Sequence, residues 1–368
     1  SIEIDNLVRT HILNMKPYSS ARNEYVGNDG IFLDANENPF GSVCTEIHNR
    51  YPDPMQEEMK IKLAKLENVS TNQLFIGNGS DECIDVFVRV FCEPQKEKIL
   101  ICPPVFSMYE HVAHIQNIEV VNVLLKDDFQ LDVDGILNAI KNHTIKIIFI
   151  CSPNNPTGNL INENDIEIIL KNFDGLVLID EAYQDFSNNV SWINRLQEFK
   201  NLVVIKTLSK AYGMADVRIG MLYAHAEIIQ YLNTIKMPYN VNAHSQRLAA
   251  EALDKMELKN KFVDELIQGR RYLENALKAN AVYKIDKDFF DKHIGETLDV
   301  RENININKKY YTSTDIARKL CPFEDEINLK LPIKSITIGC NVENKNEVIN
   351  RIKSKCIELG FNDIEIKI

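Results

Sequence analysis

The chain has 368 residues, of which 45% are hydrophobic and 26% are charged, and its formal net charge is -11. This composition is typical of a globular protein with enough length for a large core and two subdomains. The acidic balance argues against nucleic acid or an anionic membrane as the main partner. Because no stretch resembles a membrane span or a signal peptide, we expect a cytoplasmic protein.

In the middle of the chain, short β-branched runs alternate with segments of helical periodicity. Continuous apolar runs such as residues 147–150 suit strands that are buried on both faces. Strands separated by helices predict an α/β fold with a mostly parallel sheet, in which ligands bind beyond the carboxyl ends of the strands. The candidate strands are residues 98–102, 119–124, 145–150, 176–179, 202–206 and 219–223.

The sequence pattern changes near residue 255. We expect a large domain over residues 45–255, and a smaller α+β domain formed by residues 256–368 together with an N-terminal arm, residues 1–44. The elements expected in the smaller domain are helices at 258–279 and 345–359 and strands at 335–338 and 364–368, with a polar stretch at 284–314.

A glycine-rich turn, Gly-Asn-Gly-Ser-Asp-Glu at residues 77–82, leads into a predicted helix over 82–91. Ser80 and Asp81 would lie at the helix N-terminus, where free N–H groups and the helix dipole bind phosphate. The turn lacks the third glycine of a dinucleotide fingerprint and the lysine of a Walker motif. An ordinary capped first turn is the alternative. Further along, Tyr109 is either a platform for a flat aromatic cofactor or a core residue.

Two further motifs follow predicted strands. Ser-Pro-Asn-Asn-Pro-Thr-Gly at residues 152–158 is a turn in the plain interpretation, but Asn155 could also donate to the phenolic oxygen of a cofactor ring. Asp180 ends a buried strand and could pair with a protonated pyridine nitrogen, which keeps the ring able to accept electrons. Tyr183 could donate to the ring oxygen. The alternative for Asp180 is the cap of a following helix.

Lys210 lies just after the strand at 202–206, where such a sheet places its ligands. The hydroxyls of Thr207 and Ser209 and the guanidinium of Arg218 are good phosphate donors. A lysine amine among phosphate donors suggests an imine with a phosphorylated aldehyde, and a solvated loop lysine is the alternative. These motifs occur in sequence order at places where a parallel sheet binds its ligands, and chance explains this arrangement poorly.

Together these motifs resemble the fold-type-I pyridoxal-phosphate aminotransferases, and within them the histidinol-phosphate aminotransferase family. The closer likeness is carried by residues 16–22, 33–41, 49–54 and 236–242, which read KPYSSAR, LDANENPFG, NRYPDP and KMPYNVN. The resemblance implies a seven-stranded sheet with helices on both faces and pyridoxal 5'-phosphate as the cofactor. It also implies a reaction of histidine biosynthesis, in which histidinol phosphate and 2-oxoglutarate give imidazole-acetol phosphate and glutamate.

The resemblance implies a role for each candidate residue. Lys210 would hold the cofactor as a Schiff base and move the substrate proton, Asp180 would pair with the pyridine nitrogen, and Tyr109 would stack on the ring. Tyr183 and Asn155 would bind the ring oxygen. Tyr51 would reach the cofactor phosphate of a partner subunit, which implies a homodimer. The residues around the phosphate would be Ser80, Asp81, Thr207, Ser209 and Arg218.

The resemblance weakens in the C-terminal third. Where the family has an arginine that grips the substrate carboxylate, this chain has Ser335. Tyr18, Asn155 and Arg301 are the residues expected to bind substrate. The alternatives are a phosphothreonine decarboxylase, an aromatic aminotransferase and a non-catalytic pyridoxal-phosphate-binding protein. No metal site is expected, since His111 and His114 lack an evident third ligand.

Overall fold

The computed structural model describes residues 2–18 and 35–279 together with two short strands nearer the C-terminus. Contacts between residues divide the chain into two compact units, Ser1–Val263 and Asp264–Ile368. Within the described ranges, no helix combines the length and the apolar character that crossing a membrane requires. The first unit carries nearly all of the candidate site residues.

The first unit is built on a seven-stranded sheet with the strand order β1-β7-β6-β5-β4-β2-β3. Strand β7 runs antiparallel to β1 and to β6, and every other neighbouring pair is parallel. The α/β fold with a mostly parallel sheet is therefore confirmed. The strands are β1 (Leu74–Asn78), β2 (Lys98–Ile101), β3 (Glu119–Asn122), β4 (Ile145–Cys151), β5 (Leu176–Asp180), β6 (Leu202–Thr207) and β7 (Ile219–Ala224).

Two hydrophobic clusters, one on each face of the sheet, form the core. Since successive strand residues point to opposite faces, Phe149 and Leu178 pack with one set of helices and Ile148 and Val177 with the other. The helices are α1 (Thr10–Leu13), α2 (Glu57–Glu67), α3 (Gly79–Phe91), α4 (Met108–Ile115), α5 (Val133–Asn142), α6 (Glu163–Asn172), α7 (Ala226–Ile235), α8 (Ala243–Leu253) and α9 (Met256–Ala279). Residues of α3, α4 and α7 belong to the first cluster, and residues of α2, α5, α6 and α8 to the second.

Residues 4–12 of the N-terminal arm pack against the core of the first unit. Ile4, Leu7 and Ile12 are buried in the same cluster as α3 and α7. Arg9 donates to the carbonyl of Arg89 at the end of α3, over 3.0 Å. The predicted association of residues 1–44 with residues 256–368 stays a prediction.

In the second unit the structure describes a parallel pair of strands, β8 (Ser335–Thr337) and β9 (Glu365–Lys367). Both fall within strands predicted from the sequence. The predicted helix at 345–359 and the polar stretch at 284–314 lie outside the described residues.

Candidate active site

The candidate site lies at the carboxyl ends of β4, β5 and β6. These three strands are adjacent, and in their register Cys151 pairs with Asp180, which in turn pairs with Ile205. The loops that leave β4 and β6 carry Asn155 and Lys210. The topology thus brings to one edge of the sheet side chains that are far apart in sequence, as the sequence motifs predict.

Asp180 is a buried carboxyl group at this edge, with 3% of its surface exposed. Its Oδ1 accepts a hydrogen bond from the backbone N–H of Ala182 over 2.9 Å, and its Oδ2 accepts one from the Tyr109 hydroxyl over 2.6 Å. Burial raises the pKa of Asp180, whereas these two hydrogen bonds and the positive charge of Lys210 act in the opposite direction. The element that follows β5 is a short 3₁₀ turn, Gln184–Phe186. Asp180 therefore does not cap an α-helix, which was the alternative interpretation of its sequence position.

Lys210 and Tyr183 lie next to each other. The Nζ of Lys210 is 5.4 Å from the centroid of the Tyr183 ring, and Lys210 itself is exposed. Burial, followed by the nearby Cys151 and Asp180, raises the pKa of the Tyr183 hydroxyl to about 12. That hydroxyl therefore keeps its proton at neutral pH and can act as a donor. Asn155 is half-buried in the preceding loop.

Hydrogen-bond donors from three segments converge beside the start of α3. Gly79, the first residue of α3, bridges to Ile219, and Arg218 donates to the carboxylate of Asp81 over 2.9 Å. The Thr207 hydroxyl lies 3.0 Å from the carbonyl oxygen of Ile219 and 3.0 Å from the hydroxyl of Ser209. Two hydroxyls, a guanidinium and the N–H groups of a helix N-terminus form a donor set for phosphate.

Two glycines keep this cluster of donors open. A Cβ on Gly220 would overlap the backbone of Gly79 and Ser80, and a Cβ on Gly79 would overlap the guanidinium of Arg218. Gly79 also has φ +81°, a conformation that favours glycine. The backbone N–H groups of α3 can therefore approach a bound anion closely. The residues present fit the phosphate of a cofactor such as pyridoxal 5'-phosphate.

Tyr109 occupies a different place from the one predicted. It is fully buried, and its ring stacks on Phe149 with 4.7 Å between centroids and 14° between planes. Without exposed surface the ring offers no platform to a cofactor, so this placement argues against the predicted stacking. The ring of Phe106 lies edge-on to Tyr109 at 5.6 Å and is half-buried, so it is a candidate aromatic that sequence reasoning missed. Its only sequence signal was its place in the same Pro-Pro-Val-Phe-Ser-Met-Tyr run.

Three further predicted residues are Tyr51, expected at a partner's cofactor phosphate, and Tyr18 and Arg301, expected at the substrate. Tyr51 is 53% exposed and stacks on Tyr239 with 4.6 Å between ring centroids. Tyr18 is 66% exposed. Arg301 lies outside the described residues, and Ser335 is described only as part of the β8 backbone. Their roles stay predictions.

In the described ranges, His111 and His114 meet no third side chain that could complete a metal site. The one such group found among these residues is an exposed carboxylate with two imidazoles, from Glu46, His48 and His244, whose ligand atoms lie within 4.8 Å of one another. It is not the histidine pair considered from the sequence.

Known proteins resemble this chain in both sequence and fold. The family described as aminotransferase class I and II matches residues 29–294. The histidinol-phosphate aminotransferase of Cytophaga hutchinsonii is 43% identical over 349 residues, which cover 94% of this chain and 97% of that protein.

Two solved structures share the fold. The histidinol-phosphate aminotransferase of Sinorhizobium meliloti in complex with pyridoxal-5'-phosphate superimposes with a TM-score of 0.60, at 21% identity over 67% of this chain and 70% of that one. The L-threonine-O-3-phosphate decarboxylase of Porphyromonas gingivalis superimposes with a TM-score of 0.53, at 24% identity over 63% of this chain and 71% of that one. The fold alone therefore does not separate transamination from decarboxylation.

Proposed function

The chain belongs to the class I and II aminotransferase family, and we propose that it is a histidinol-phosphate aminotransferase that uses pyridoxal 5'-phosphate. The reaction would exchange the amino group between histidinol phosphate and 2-oxoglutarate, a step of histidine biosynthesis. The observation that carries the proposal is that Lys210, Asp180 and the phosphate-donor cluster share one edge of the sheet in a chain 43% identical to such an enzyme.

The cofactor, when bound, supplies an aldehyde that links to an amine and a ring that accepts electrons from the substrate carbon. Lys210, exposed beside Tyr183, is the amine that would hold the cofactor and then carry the substrate proton. Asp180 would keep the ring nitrogen protonated, because a buried carboxylate stabilises a positive charge beside it. Tyr183 and Asn155 would donate to the ring oxygen, and Phe106 is the aromatic ring available to stack on the cofactor.

The phosphate of the cofactor would bind where α3 begins. The residues assigned to it are Ser80, Asp81, Thr207, Ser209 and Arg218. Asp81 would contribute its backbone N–H in the first helical turn, and the others would contribute their side chains. Arg218 supplies the positive charge, and its present partner Asp81 holds the guanidinium at that position over 2.9 Å. A phosphate would compete with the Asp81 carboxylate for the same donor.

The serine at position 335 favours a second candidate. A charge-assisted hydrogen bond from arginine to a carboxylate contributes about 1.5–3 kcal/mol, so a chain without this arginine would hold glutamate less tightly. A substrate carboxylate held differently over the cofactor ring would favour loss of CO₂. A phosphothreonine decarboxylase is therefore the alternative to be tested, with Tyr18 and Arg301 as candidate ligands of the substrate in either case.

The proposal includes a cytoplasmic homodimer. Tyr51 is half-exposed and lies in the Asn-Arg-Tyr-Pro-Asp-Pro run, which supports a contact with the cofactor phosphate of a partner subunit. A site of this kind is complete only when two chains assemble.

The test offers the purified enzyme three substrates in parallel: histidinol phosphate with 2-oxoglutarate, phenylalanine with 2-oxoglutarate, and phosphothreonine alone. We expect glutamate from the first mixture well above the second, and no CO₂ from the third. Lys210→Ala should lose both the activity and the visible absorption of the bound cofactor. The matched control is Lys141→Ala, which replaces an exposed lysine on α5. Release of CO₂ without glutamate would favour the decarboxylase instead.

A further inference from the structure

The hydrogen bond between Tyr109 and Asp180 joins two buried side chains. The hydroxyl of Tyr109 donates to Oδ2 of Asp180 over 2.6 Å, within the range of strong bonds to a carboxylate. Tyr109 is fully buried and Asp180 is 3% exposed, so water does not compete for either group. Burial, with the neighbouring Asp180 carboxylate, raises the pKa of the Tyr109 hydroxyl, which therefore remains a donor.

The surroundings of Tyr109 fix the direction of this bond. Its ring stacks on Phe149 of β4, and Phe106 closes its edge. Cys151 lies two residues after Phe149 in β4, so the two side chains point to the same face of the sheet. Cys151 pairs with Asp180 of β5, which brings Asp180 next to the Tyr109 ring on that face. The ring therefore cannot turn the hydroxyl away without losing its stacking contact.

Both oxygens of the Asp180 carboxylate consequently have a fixed donor. The backbone N–H of Ala182 holds Oδ1, and the Tyr109 hydroxyl holds Oδ2. These two bonds restrict rotation of the carboxylate plane. They also stabilise its ionised form at a place where burial favours protonation.

We propose that Tyr109 is a positioning residue, which acts through Asp180 to keep that carboxylate ionised and correctly oriented for the cofactor's ring nitrogen. This inference rests on the proposed pairing of Asp180 with the ring. Tyr109 would not touch the cofactor itself. Its effect would be to keep the proton on the ring nitrogen, because a carboxylate stabilised by its own donors is a weaker competitor for that proton.

The test compares Tyr109→Phe with Tyr223→Phe. Both replacements remove one hydroxyl from a fully buried tyrosine, but the Tyr223 hydroxyl has no hydrogen-bond partner among the described residues. Tyr109→Phe keeps the ring that stacks on Phe149 and removes the donor to Asp180, together with the hydroxyl's hydrogen bond to the Cys151 side chain. We expect it to slow the single-turnover reaction with amino substrate by about 10- to 100-fold, the range for a lost hydrogen bond to a charged group. Tyr223→Phe should react at the wild-type rate.

A second measurement distinguishes positioning from loss of packing. Enzyme loaded with cofactor that carries an isotopic label at the ring nitrogen reports by NMR whether this nitrogen is protonated. In Tyr109→Phe the signal should move toward the unprotonated form, and in Tyr223→Phe it should stay at the wild-type position. A purely structural role of Tyr109 would lower the unfolding temperature and leave the signal unchanged.

Asp180→Asn separates failure of this inference from failure of the proposed function. A slow Asp180→Asn variant beside a Tyr109→Phe variant with normal rate and normal nitrogen signal would overturn the inference alone. If the Asp180→Asn enzyme also had a normal turnover rate, the proposed pairing of Asp180 with the ring would be contradicted, and so would the role of Tyr109.

Discussion

The guanidinium of Arg218 donates to the carboxylate of Asp81 over 2.9 Å, across 137 residues of sequence. The bond links the residue before β7 to the first turn of α3. Both side chains are more than 40% exposed, and ion pairs of that kind add little to stability. The main effect of this ion pair is to hold the Arg218 guanidinium, a bidentate donor, beside the free N–H groups at the start of α3.

Replacement of this arginine should therefore affect cofactor binding more than folding. Lysine keeps the charge of Arg218 but loses the planar pair of donors, so we expect Arg218→Lys to weaken binding of pyridoxal 5'-phosphate by about 10-fold. The unfolding temperature without cofactor should remain near the wild-type value. Titration of the cofactor-free enzyme by fluorescence measures the affinity, with Arg270→Lys, an exposed residue of α9, as the control. Equal affinities in all three proteins would remove Arg218 from the phosphate site.

A methyl group at position 220 should close the phosphate cluster. A Cβ there overlaps the backbone of Gly79 and Ser80, which cannot move without displacing the start of α3. We expect Gly220→Ala to destabilise the fold by about 1–3 kcal/mol, the usual cost of overpacking, and to weaken cofactor binding as well. Urea unfolding and cofactor titration measure the two effects. A Gly220→Ala variant with unchanged affinity would contradict the close approach.

The sheet could largely be predicted from the sequence because its central strands are continuous apolar runs. Strands β4 to β7 begin at the predicted residues and end one residue later than predicted. Strand β1 was missed. Its apolar run is short and ends in a glycine-rich turn, and among the described strands it pairs with β7 alone, so no local sequence pattern predicts it.

The candidate site could be predicted where its residues follow strand ends, since topology alone then places them together. Lys210 and Asp180 are of this kind, whereas Arg218 stands just before β7 and reaches the same edge because β7 runs antiparallel to β6. Tyr109 is not, because its role depends on which side of α4 faces the sheet. Sequence spacing does not show whether Phe106 or Tyr109 is the buried ring. In the structure Tyr109 is buried, because it stacks on Phe149.

The proposed dimer can be tested by mixing two inactive proteins. Tyr51 would serve the cofactor of the partner subunit, so Tyr51→Ala and Lys210→Ala damage different chains of the same site. In a mixed dimer, one site combines the intact Lys210 of one chain with the intact Tyr51 of the other. We expect partial recovery of activity after the two variants are unfolded and refolded together. Recovery should be absent when each is refolded alone, and a lack of recovery in the mixture would contradict the cross-subunit role.

The last prediction concerns Glu181, the neighbour of Asp180. It is 1% exposed and accepts hydrogen bonds from the Ser191 hydroxyl and from the backbone N–H of Trp192. Burial raises its pKa to about 7, and the two hydrogen bonds and Lys206 only partly oppose this shift. The folded chain thus binds this proton more tightly than the unfolded chain does. Stability is unaffected by this group below its ordinary pKa of 4.5, and it falls as the pH rises from there toward 7.

Glu181→Gln should remove this dependence on pH, because glutamine stays neutral and can still accept the hydrogen bond from Trp192. At pH 8 we expect the variant to exceed the wild type by about 1–3 kcal/mol in free energy of unfolding. Near pH 5 the two proteins should differ little. Urea unfolding across this range measures the difference, with the exposed Glu257→Gln as the control for loss of one negative charge. A constant difference at every pH would show that the Glu181 carboxylate does not change its protonation on folding.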